Sequence, residues 1–389
     1  MNAIGVASAG GWGVLRGLIP ALAAVGRDDF ITTLVPRGAG RLLGMSTRSL
    51  QVIEQRRSGP RWLWRLLDDF YRLPALSRRL RPDVFFSLTD LGPRRTGCPH
   101  VMLLHNAWVT HDLPRWKIGG SWRDRLIYAT YYPARFRRLW PSLARVIVQT
   151  PVVAERLRTR FGVPANRIVV VTPGCDVRAR GGAPRRNPVA SREPLRLFWP
   201  ARGYWHKNHA VLVPLCQELV RRGLDARVRV FVTLEKNGDR RVRRLLRSLE
   251  PYAPIVTNLG PLVPADVHRW FRETDALLLP TLLESFSLTY IEAAAWRRPV
   301  LTSDRDFARH ACGAAGYYFD PEDPVDICGR ILELIEDIEH GAPRVPAPSA
   351  GTGDTPWGTA GRSVLAVLHD AVYGSRVPGR VRAAGWNMA

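Results

Sequence analysis

Residues 275–295 read Asp-Ala-Leu-Leu-Leu-Pro-Thr-Leu-Leu-Glu-Ser-Phe-Ser-Leu-Thr-Tyr-Ile-Glu-Ala-Ala-Ala, and this stretch decides the fold. The apolar run Ala276–Leu279 stops at Pro280, which predicts a short buried strand. A helix is predicted to follow over residues 290–296. A buried strand that leads through a loop into a helix is one unit of a parallel α/β sheet.

The same alternation extends in both directions from this stretch. In the second half of the chain, strands are predicted at 195–200, 228–233, 255–259, 276–279 and 299–302, and helices at 210–222, 240–249, 266–273, 290–296 and 325–339. In the first half, strands are predicted at 3–8, 83–88, 101–104, 145–150 and 167–171, and a helix over 14–25. Two tandem arrays of this kind predict an α/β protein with two Rossmann-like, doubly wound domains.

The domain boundary is predicted in a stretch of Gly, Pro and Arg over 178–192, which has no apolar periodicity. The predicted domains are 1–177 and 178–355. A last helix over 356–373 belongs to a closing segment, 356–375, and residues 376–389 are expected to form a disordered tail.

The composition narrows the protein class. A chain of 389 residues with 46% hydrophobic and 23% charged residues is globular and long enough for two cores. The N-terminus lacks the pattern of a secretory signal, no apolar run reaches the length of a membrane span, and the five cysteines have no CxxC spacing. We therefore expect a cytoplasmic protein.

The net charge of +23 is carried almost entirely by arginine, and such a surface attracts nucleic acid, anionic lipid or phosphorylated substrates.

Two groups of charged residues are expected at the carboxyl edge of the second sheet, where a doubly wound fold holds its ligand. Glu284 follows one predicted strand, and Glu292 lies one to two turns into the next helix, whose first amide groups favour an anion. Arg202 and Lys207 follow another strand and would together neutralise a diphosphate. The ordinary alternative is that the two glutamates are surface charges on a helix.

The first half offers two weaker candidates. Gly10 and Gly11 are predicted in a turn between strand and helix, where backbone amides can approach an anion. His105 follows a predicted strand and could orient a sugar hydroxyl or a carbonyl, although a lone histidine is more often structural. His111 and Asp112 lie nearby, but their spacing does not match a zinc motif, and no metal site is predicted.

From about Arg145 onward the chain resembles the retaining glycosyltransferases of family 4, which have the GT-B fold. The resemblance rests on an ordered set of blocks: Val146-Ile-Val-Gln-Thr-Pro, Val170-Val-Thr-Pro-Gly-Cys-Asp176, Arg202 with Lys207-Asn208, Leu259-Gly260, Asp275-Ala-Leu-Leu-Leu-Pro280, Glu284 with Glu292-Ala-Ala-Ala, Pro299-Val-Leu-Thr-Ser-Asp304, Tyr318-Phe-Asp-Pro321 and Pro356-Trp357. It implies two Rossmann-like domains that face a cleft, with a C-terminal helix that crosses back to the first domain.

The resemblance also implies roles for the residues at matching positions. Arg202 and Lys207 would hold the diphosphate of a nucleotide-sugar donor, Glu292 its ribose, and Glu284 the hydroxyls of the transferred sugar. The segment Phe286, Ser287, Leu288 and Thr289 would contact sugar and phosphate, Leu259 and Gly260 the base, and Gly10 and Gly11 the diphosphate, while His105 would be the cleft histidine. No cofactor or metal is expected. The family usually has glycine where this chain has Ser287, and often where it has Ser285, which puts the shape of the sugar pocket in doubt.

The expected reaction moves a hexose from a UDP- or GDP-sugar to a hydroxyl of a glycan or lipid-linked acceptor, in polysaccharide or glycolipid synthesis. Two stretches that mix arginine with aromatic residues, 61–81 and 116–140, suggest peripheral binding to an anionic membrane, unless their aromatics belong to the core. Three alternatives stay open: a nucleic-acid-binding protein, which no recognition motif supports; an inactive GT-B binding partner; and a sugar-nucleotide epimerase on the same fold.

Overall fold

A computed structural model of the chain describes residues 1–5, 9–40, 49–55, 64, 66–89, 91–111, 113, 119, 122–175, 193–347 and 356–374. The predicted linker 178–192 and the predicted tail 376–389 lie outside the described residues. So do parts of the two arginine and aromatic stretches, namely 61–63, 65, 116–118 and 120–121.

The chain divides into two compact units. The first contains Met1–Val109, Pro133–Pro173 and Trp357–Ala389, and the second contains Thr110–Tyr132 and Gly174–Pro356. The predicted boundary lies between residues 177 and 178, and the second unit also takes in the segment from Thr110 to Tyr132.

The first unit is built on parallel strands. These are β1 (Ile31–Pro36), β2 (Leu50–Gln55), β3 (Phe85–Ser87), β4 (His100–Leu104), β5 (Arg145–Val148) and β6 (Ile168–Val170). β1 pairs with β2, and β3 to β6 pair in sequence order. The helices are α1 (Ala9–Val25), α2 (Leu73–Leu80), α3 (Ala107–Thr110), α5 (Tyr132–Leu139), α6 (Pro151–Phe161) and α13 (Pro356–Tyr373), and a π-helical turn spans Asp68–Arg72.

The start of the chain differs from its prediction. Asn2 forms single parallel bridges to Leu34 and Ser87, but the strand predicted over residues 3–8 is wrong at its start, because Ile4 and Gly5 form a turn. The side chain of Asn2 accepts a hydrogen bond from the Ile4 amide at 3.3 Å and so favours that turn. Residues 6–8 lie outside the described part of the chain.

The closing helix α13 completes the core of the first unit. Its buried residues pack in one cluster with those of α1 and with strand residues; the helix contributes Trp357, Ala360, Val364, Val367 and Leu368. Gly17 of α1 makes this contact possible, because a Cβ built there would lie 1.9 Å from Cε2 of Trp357. The expected return of the C-terminal helix to the first domain is confirmed.

The second unit contains one six-stranded parallel sheet. Its strands are β7 (Leu195–Trp199), β8 (Val228–Val232), β9 (Val256–Asn258), β10 (Ala276–Leu279), β11 (Val300–Ser303) and β12 (Gly316–Phe319), in the spatial order β12-β11-β10-β7-β8-β9. The helices are α4 (Trp122–Leu126), α7 (Leu212–Arg221), α8 (Arg240–Ser248), α9 (Pro264–Glu273), α10 (Leu288–Ala295), α11 (Asp306–Cys312) and α12 (Pro324–Glu339). A π-helical segment, Ile127–Tyr131, continues α4.

This strand order is the doubly wound order of a dinucleotide-binding fold. β10 is buried at all four positions because helices cover both faces of the sheet, which explains its uninterrupted apolar sequence. The predicted α/β class with two domains built on parallel strands is confirmed. None of the described helices has the length and apolar character that a membrane crossing requires.

Candidate functional site

The topology of the second sheet fixes where a ligand can bind. β7 and β10 are neighbours, with Ala276 opposite Leu197, yet the chain leaves them toward opposite edges of the sheet. The loops that follow these two strands therefore flank the switch point, which is the ligand crevice of an open α/β sheet. Lys207 lies in the first of these loops and Glu284 in the second.

Hydrogen bonds to one backbone carbonyl tie the two loops together. The carbonyl oxygen of His206 accepts from the amide of Leu282 at 2.7 Å and from the hydroxyl of Thr281 at 3.0 Å. These contacts bring Nζ of Lys207 into an ion pair with Oε1 of Glu284. The two side chains are only 18% and 11% exposed, so the pair is partly shielded from water. The structure therefore brings together a cation and a carboxylate that lie 77 residues apart in sequence.

The loop that carries Lys207 is held rigidly from both sides. Asn208 adopts a left-handed conformation, with φ of 61°, and its side-chain amide donates to the carbonyl of Pro321 at 2.6 Å. The next residue, His209, stacks on Trp199 with ring centroids 4.4 Å apart. Side chains held by their neighbours in this way are preorganised for binding.

Arg202 has different surroundings from Lys207. Its guanidinium is 48% exposed and lies 3.6 Å from Oε1 of Glu235. Each of the two predicted cations thus faces its own carboxylate. Sequence reasoning missed Glu235, because the loop after β8 offers no pattern that distinguishes this glutamate from other surface charges.

The start of α10 has no side-chain cap. Its cap residue Ser287 is extended, with φ of −110° and ψ of 109°, and makes no capping hydrogen bond. By contrast, Thr150, Asp239 and Asp323 cap α6, α8 and α12 with their side chains. The amide of Tyr290 donates to the carbonyl of Ser287 at 3.2 Å, and the amides before it lie at the helix end that favours an anion. Any L-residue adopts the φ of Ser287, so serine in place of glycine introduces no backbone strain there.

α10 is anchored behind this open end. It begins at Leu288, two residues earlier than predicted, so Glu292 lies one turn into the helix and is half-buried. The hydroxyl of Tyr290 hydrogen-bonds that of Thr302 at 2.8 Å, which fixes α10 against β11. Phe286 and Leu288, both half-buried, pack against a small cluster of Cys175, Ile291 and Ala295, and Thr289 is also half-buried.

The residues predicted to face the base lie at the end of β9. Gly260 has φ of +75°, a conformation that favours glycine, and the amide of Leu259 donates to the carbonyl of Val232 at 2.8 Å. The side chain of Asn258, which the sequence analysis missed, exchanges hydrogen bonds with the backbone of Leu234 at 2.9 and 3.1 Å. These contacts hold the loops after β8 and β9 together at the carboxyl edge of the sheet.

The first unit contains three of the predicted site residues, His105, Gly10 and Gly11. His105 directly follows β4, as predicted, and is half-buried. The prediction that Gly10 and Gly11 form a turn is wrong, because α1 already begins at Ala9. Both glycines nevertheless lie in the first turn of a helix, where amide groups have no intrahelical acceptor.

Two buried histidines beside Lys207 lead to a prediction on acid stability. Burial, and secondarily the charge of Lys207, lowers the pKa of His209 to about 3, and burial lowers the pKa of His206 well below 6.5. The unfolded chain binds a proton at each site below pH 6.5, whereas folded His209 stays neutral until about pH 3. Stability is thus full above pH 6.5 and falls between pH 6.5 and 3, by up to about 1.4 kcal/mol per pH unit and histidine.

Urea unfolding of the second unit at pH 7 and pH 5 measures this loss. The variant His209→Phe keeps a ring against Trp199. Its free energy of unfolding should fall by about 2 kcal/mol less than that of the wild type between these two pH values. An identical loss in the variant and the wild type would contradict the role of His209.

Comparisons with known proteins agree with this architecture. A family model described as Glycosyl transferases group 1 matches residues 194–337, and one described as Glycosyltransferase Family 4 matches residues 10–179. The D-inositol 3-phosphate glycosyltransferase of Paenarthrobacter aurescens is 24% identical over 252 residues, which cover 63% of this chain and 62% of that protein. The protein of the same name from Nocardia farcinica is 31% identical over 170 residues, 41% of this chain and 37% of that protein. The chain thus matches about three fifths or less of the length of these relatives.

A solved structure gives the same result for the fold. The crystal structure of Anabaena HepE in complex with UDP and glucose superposes with a TM-score of 0.65 at 14% identity, covering 95% of this chain and 98% of that one. The two family models together account for most of the sequence and the structural likeness for nearly all of the fold. The chain therefore belongs to the glycosyltransferases of family 4, has the GT-B fold, and is a transferase.

Proposed function

We propose that this chain is a retaining glycosyltransferase that moves a hexose from a UDP- or GDP-sugar to a hydroxyl of a glycan or lipid-linked acceptor. The proposal includes a place in the synthesis of cell-surface polysaccharide or glycolipid, in the cytoplasm, with the protein bound peripherally at the inner face of the plasma membrane. Transfer is expected to need no metal and no cofactor.

The observation that carries the proposal is the pairing of Lys207 with Glu284 beside the uncapped start of α10. A half-buried cation, a carboxylate and the amides of a helix start at one switch point match the parts of a sugar nucleotide. The amides and Lys207 suit its diphosphate, and Glu284 suits hydroxyl groups of its sugar. Glu292, one turn further into α10, suits the ribose hydroxyls.

The reaction breaks the bond between the anomeric carbon and the diphosphate, so negative charge develops on the leaving phosphate. Groups fixed in advance around that charge stabilise the transition state without reorganisation. Lys207, Arg202 and the amides of α10 are proposed to serve this purpose. The leaving phosphate takes the proton of the acceptor hydroxyl, so no separate protein base is required. On the acceptor side, His105 is proposed to orient a hydroxyl.

The comparisons support a uridine nucleotide as the first donor to test. The Anabaena HepE structure contains UDP and glucose. The curated relatives are named as D-inositol 3-phosphate glycosyltransferases, which supports a polar, hydroxyl-rich acceptor. Because this chain matches only part of those relatives, their acceptor is a starting point for screening.

A second function, nucleic-acid binding, is favoured by one observation only: the exposed arginines of α8. It predicts steep salt dependence of binding to DNA or RNA and no affinity for sugar nucleotides. An inactive binding partner would bind a sugar nucleotide without turnover, and an epimerase would release free nucleotide without an acceptor.

The test is a thermal-shift titration with UDP, GDP and their hexose conjugates. We expect one nucleotide to stabilise the protein, and Glu292→Ala to weaken its binding by about 10- to 100-fold, because hydrogen bonds to a charged group contribute about 1.5–3 kcal/mol. Glu336→Ala, which removes a carboxylate from α12 in the same unit, is the control and should leave the affinity unchanged. If no nucleotide shifts the melting temperature, or if both variants bind alike, the assigned donor site is wrong.

A further inference from the structure

The helix α8 (Arg240–Ser248) concentrates positive charge on the surface of the second unit. Five of its nine residues are arginines, and all five are exposed: Arg240, Arg241, Arg243, Arg244 and Arg247. Val242 is the only buried residue of the helix. α8 therefore packs on the core through Val242 and the half-buried Leu245 and Leu246, and it presents its arginines to solvent.

These charges are poorly balanced by the protein itself. In the part of the chain that the structure describes, Arg240, Arg244 and Arg247 form no ion pair, while Arg241 pairs with Asp239 at 2.9 Å. Like charges three or four residues apart, such as Arg240 and Arg244, lower the stability of a helix. An arginine-rich helix of this kind is typical of a surface whose positive charge is neutralised by a bound partner.

The arrangement of these side chains indicates that the partner is negatively charged and extended. Arg240, Arg241, Arg244, Arg247 and Ser248 line one open groove of about 610 Å³. Four guanidinium groups along one helix face suit a row of phosphates more than a single small anion.

Apolar side chains are exposed next to this charge. In α4 and the π-helical turn after it, Trp122 is 70%, Leu126 56% and Ile127 41% exposed. Gly119, which precedes α4, and Val242 of α8 both lie against the loop 203–205. A Cβ built at Gly119 would meet Trp205 at 2.9 Å, and one built at Gly203 would meet Val242 at 2.3 Å. The positive charge of Arg241 also counteracts the burial that raises the pKa of Tyr128. Trp122 and Leu126 are four residues apart and so lie on the same face of their helix.

We propose that α8, together with Trp122, Leu126 and Ile127, binds the anionic phospholipid surface of a bilayer. The arginines pair with headgroup phosphates, and the indole and aliphatic side chains enter the boundary between headgroups and acyl chains. A nucleic acid would also neutralise the arginines, but it offers nothing apolar for Leu126 and Ile127. The proposal deepens the peripheral membrane binding stated above and assigns it to the nucleotide-binding unit.

Co-sedimentation with vesicles tests this surface. The full chain should bind vesicles that contain phosphatidylglycerol at low salt, and bind phosphatidylcholine vesicles far more weakly. Each basic residue near an anionic surface contributes about fivefold to binding, so the triple variant R240Q/R244Q/R247Q should bind on the order of 100-fold more weakly. Glutamine is a good helix former and removes repulsion, so the variant is expected to fold. Trp122→Ser should reduce the binding that persists at high salt.

A matched variant separates a specific surface from net charge. R27Q/R37Q/R94Q removes three exposed arginines of the first unit, and it should keep nearly all of the vesicle binding. Equal losses in the two triple variants, or equal binding to both kinds of vesicle, would overturn the proposal. So would binding to a short DNA duplex that needs Arg240, Arg244 and Arg247, if the protein does not bind vesicles.

Nucleotide binding distinguishes this proposal from the proposed function. The R240Q/R244Q/R247Q variant should keep its thermal shift with UDP, whereas Lys207→Met should lose that shift and still bind vesicles. If vesicle binding fails and UDP binding holds, only the surface is wrong. If UDP binding fails and vesicle binding holds, only the donor site is wrong.

Discussion

Replacement of Lys207 by methionine is expected to lower the turnover number by about 10²–10³, the effect of removing one preorganised group that stabilises a developing anion. Lys207 is half-buried, ion-paired to Glu284, and held in a loop that is fixed by Asn208 and His206. Its charge therefore lies in a partly shielded site, where an electrostatic contribution exceeds the one it would make in water. Initial rates at saturating donor measure the effect.

Two further variants exclude simpler explanations. Lys236→Met removes an exposed lysine of the same unit and should leave the rate unchanged. Loss of Lys207 also leaves Glu284 without its counter-charge, which lowers stability. The double variant Lys207→Met/Glu284→Gln should recover the melting temperature but not the rate. Full turnover of the single variant would remove Lys207 from the mechanism.

The variant Trp357→Ala should destabilise the first unit by about 3–5 kcal/mol, the usual cost of truncating a buried tryptophan. Trp357 is 8% exposed, begins the packed face of α13, and covers Gly17 of α1. The free energy of unfolding of this unit, from urea titration, is the measurement.

The same contact can be tested from the side of α1. Gly17→Ala should destabilise by about 1–3 kcal/mol, because a Cβ there overlaps the indole of Trp357. Gly329→Ala in α12 is the matched control: nothing lies within 4 Å of a Cβ at that position, so the alanine should stabilise by about 0.5–1 kcal/mol. If both glycine variants behave alike, α13 does not pack on α1 as described.

The sequence predicted well those elements that are buried on both faces. Ala276–Leu279 is an uninterrupted apolar run because helices cover both sides of the sheet, and such a run is visible in one sequence. Three strands were missed. β1 contains two threonines and ends in a proline, β2 mixes polar with apolar residues and is half-exposed, and β12 begins with a glycine. Short strands of this kind have no distinctive period.

The sequence predicted which residues belong to the site but not which of them contact one another. Glu284 and Lys207 each follow a buried strand, which a sequence shows. That they form an ion pair depends on β7 and β10 being neighbours, and this is a property of strand order. Arg202 with Glu235, and Asn258 with Leu234, are likewise contacts between loops of different strands. The start of α1 was predicted wrongly for a local reason. Glycines favour a turn, yet this helix includes Gly10 and Gly11.

The position of α13 in the first core also affects how the protein folds during synthesis. The ribosome makes the strands of the first unit early, but the helix that closes the core of that unit follows nearly 200 residues after β6. At 5–20 residues per second this delay is roughly 10–40 s. The six strands of the second sheet are made within that interval and form one contiguous stretch of chain. We therefore expect the nascent first unit to expose an apolar groove along α1, and to need protection from aggregation, until the last helix leaves the exit tunnel.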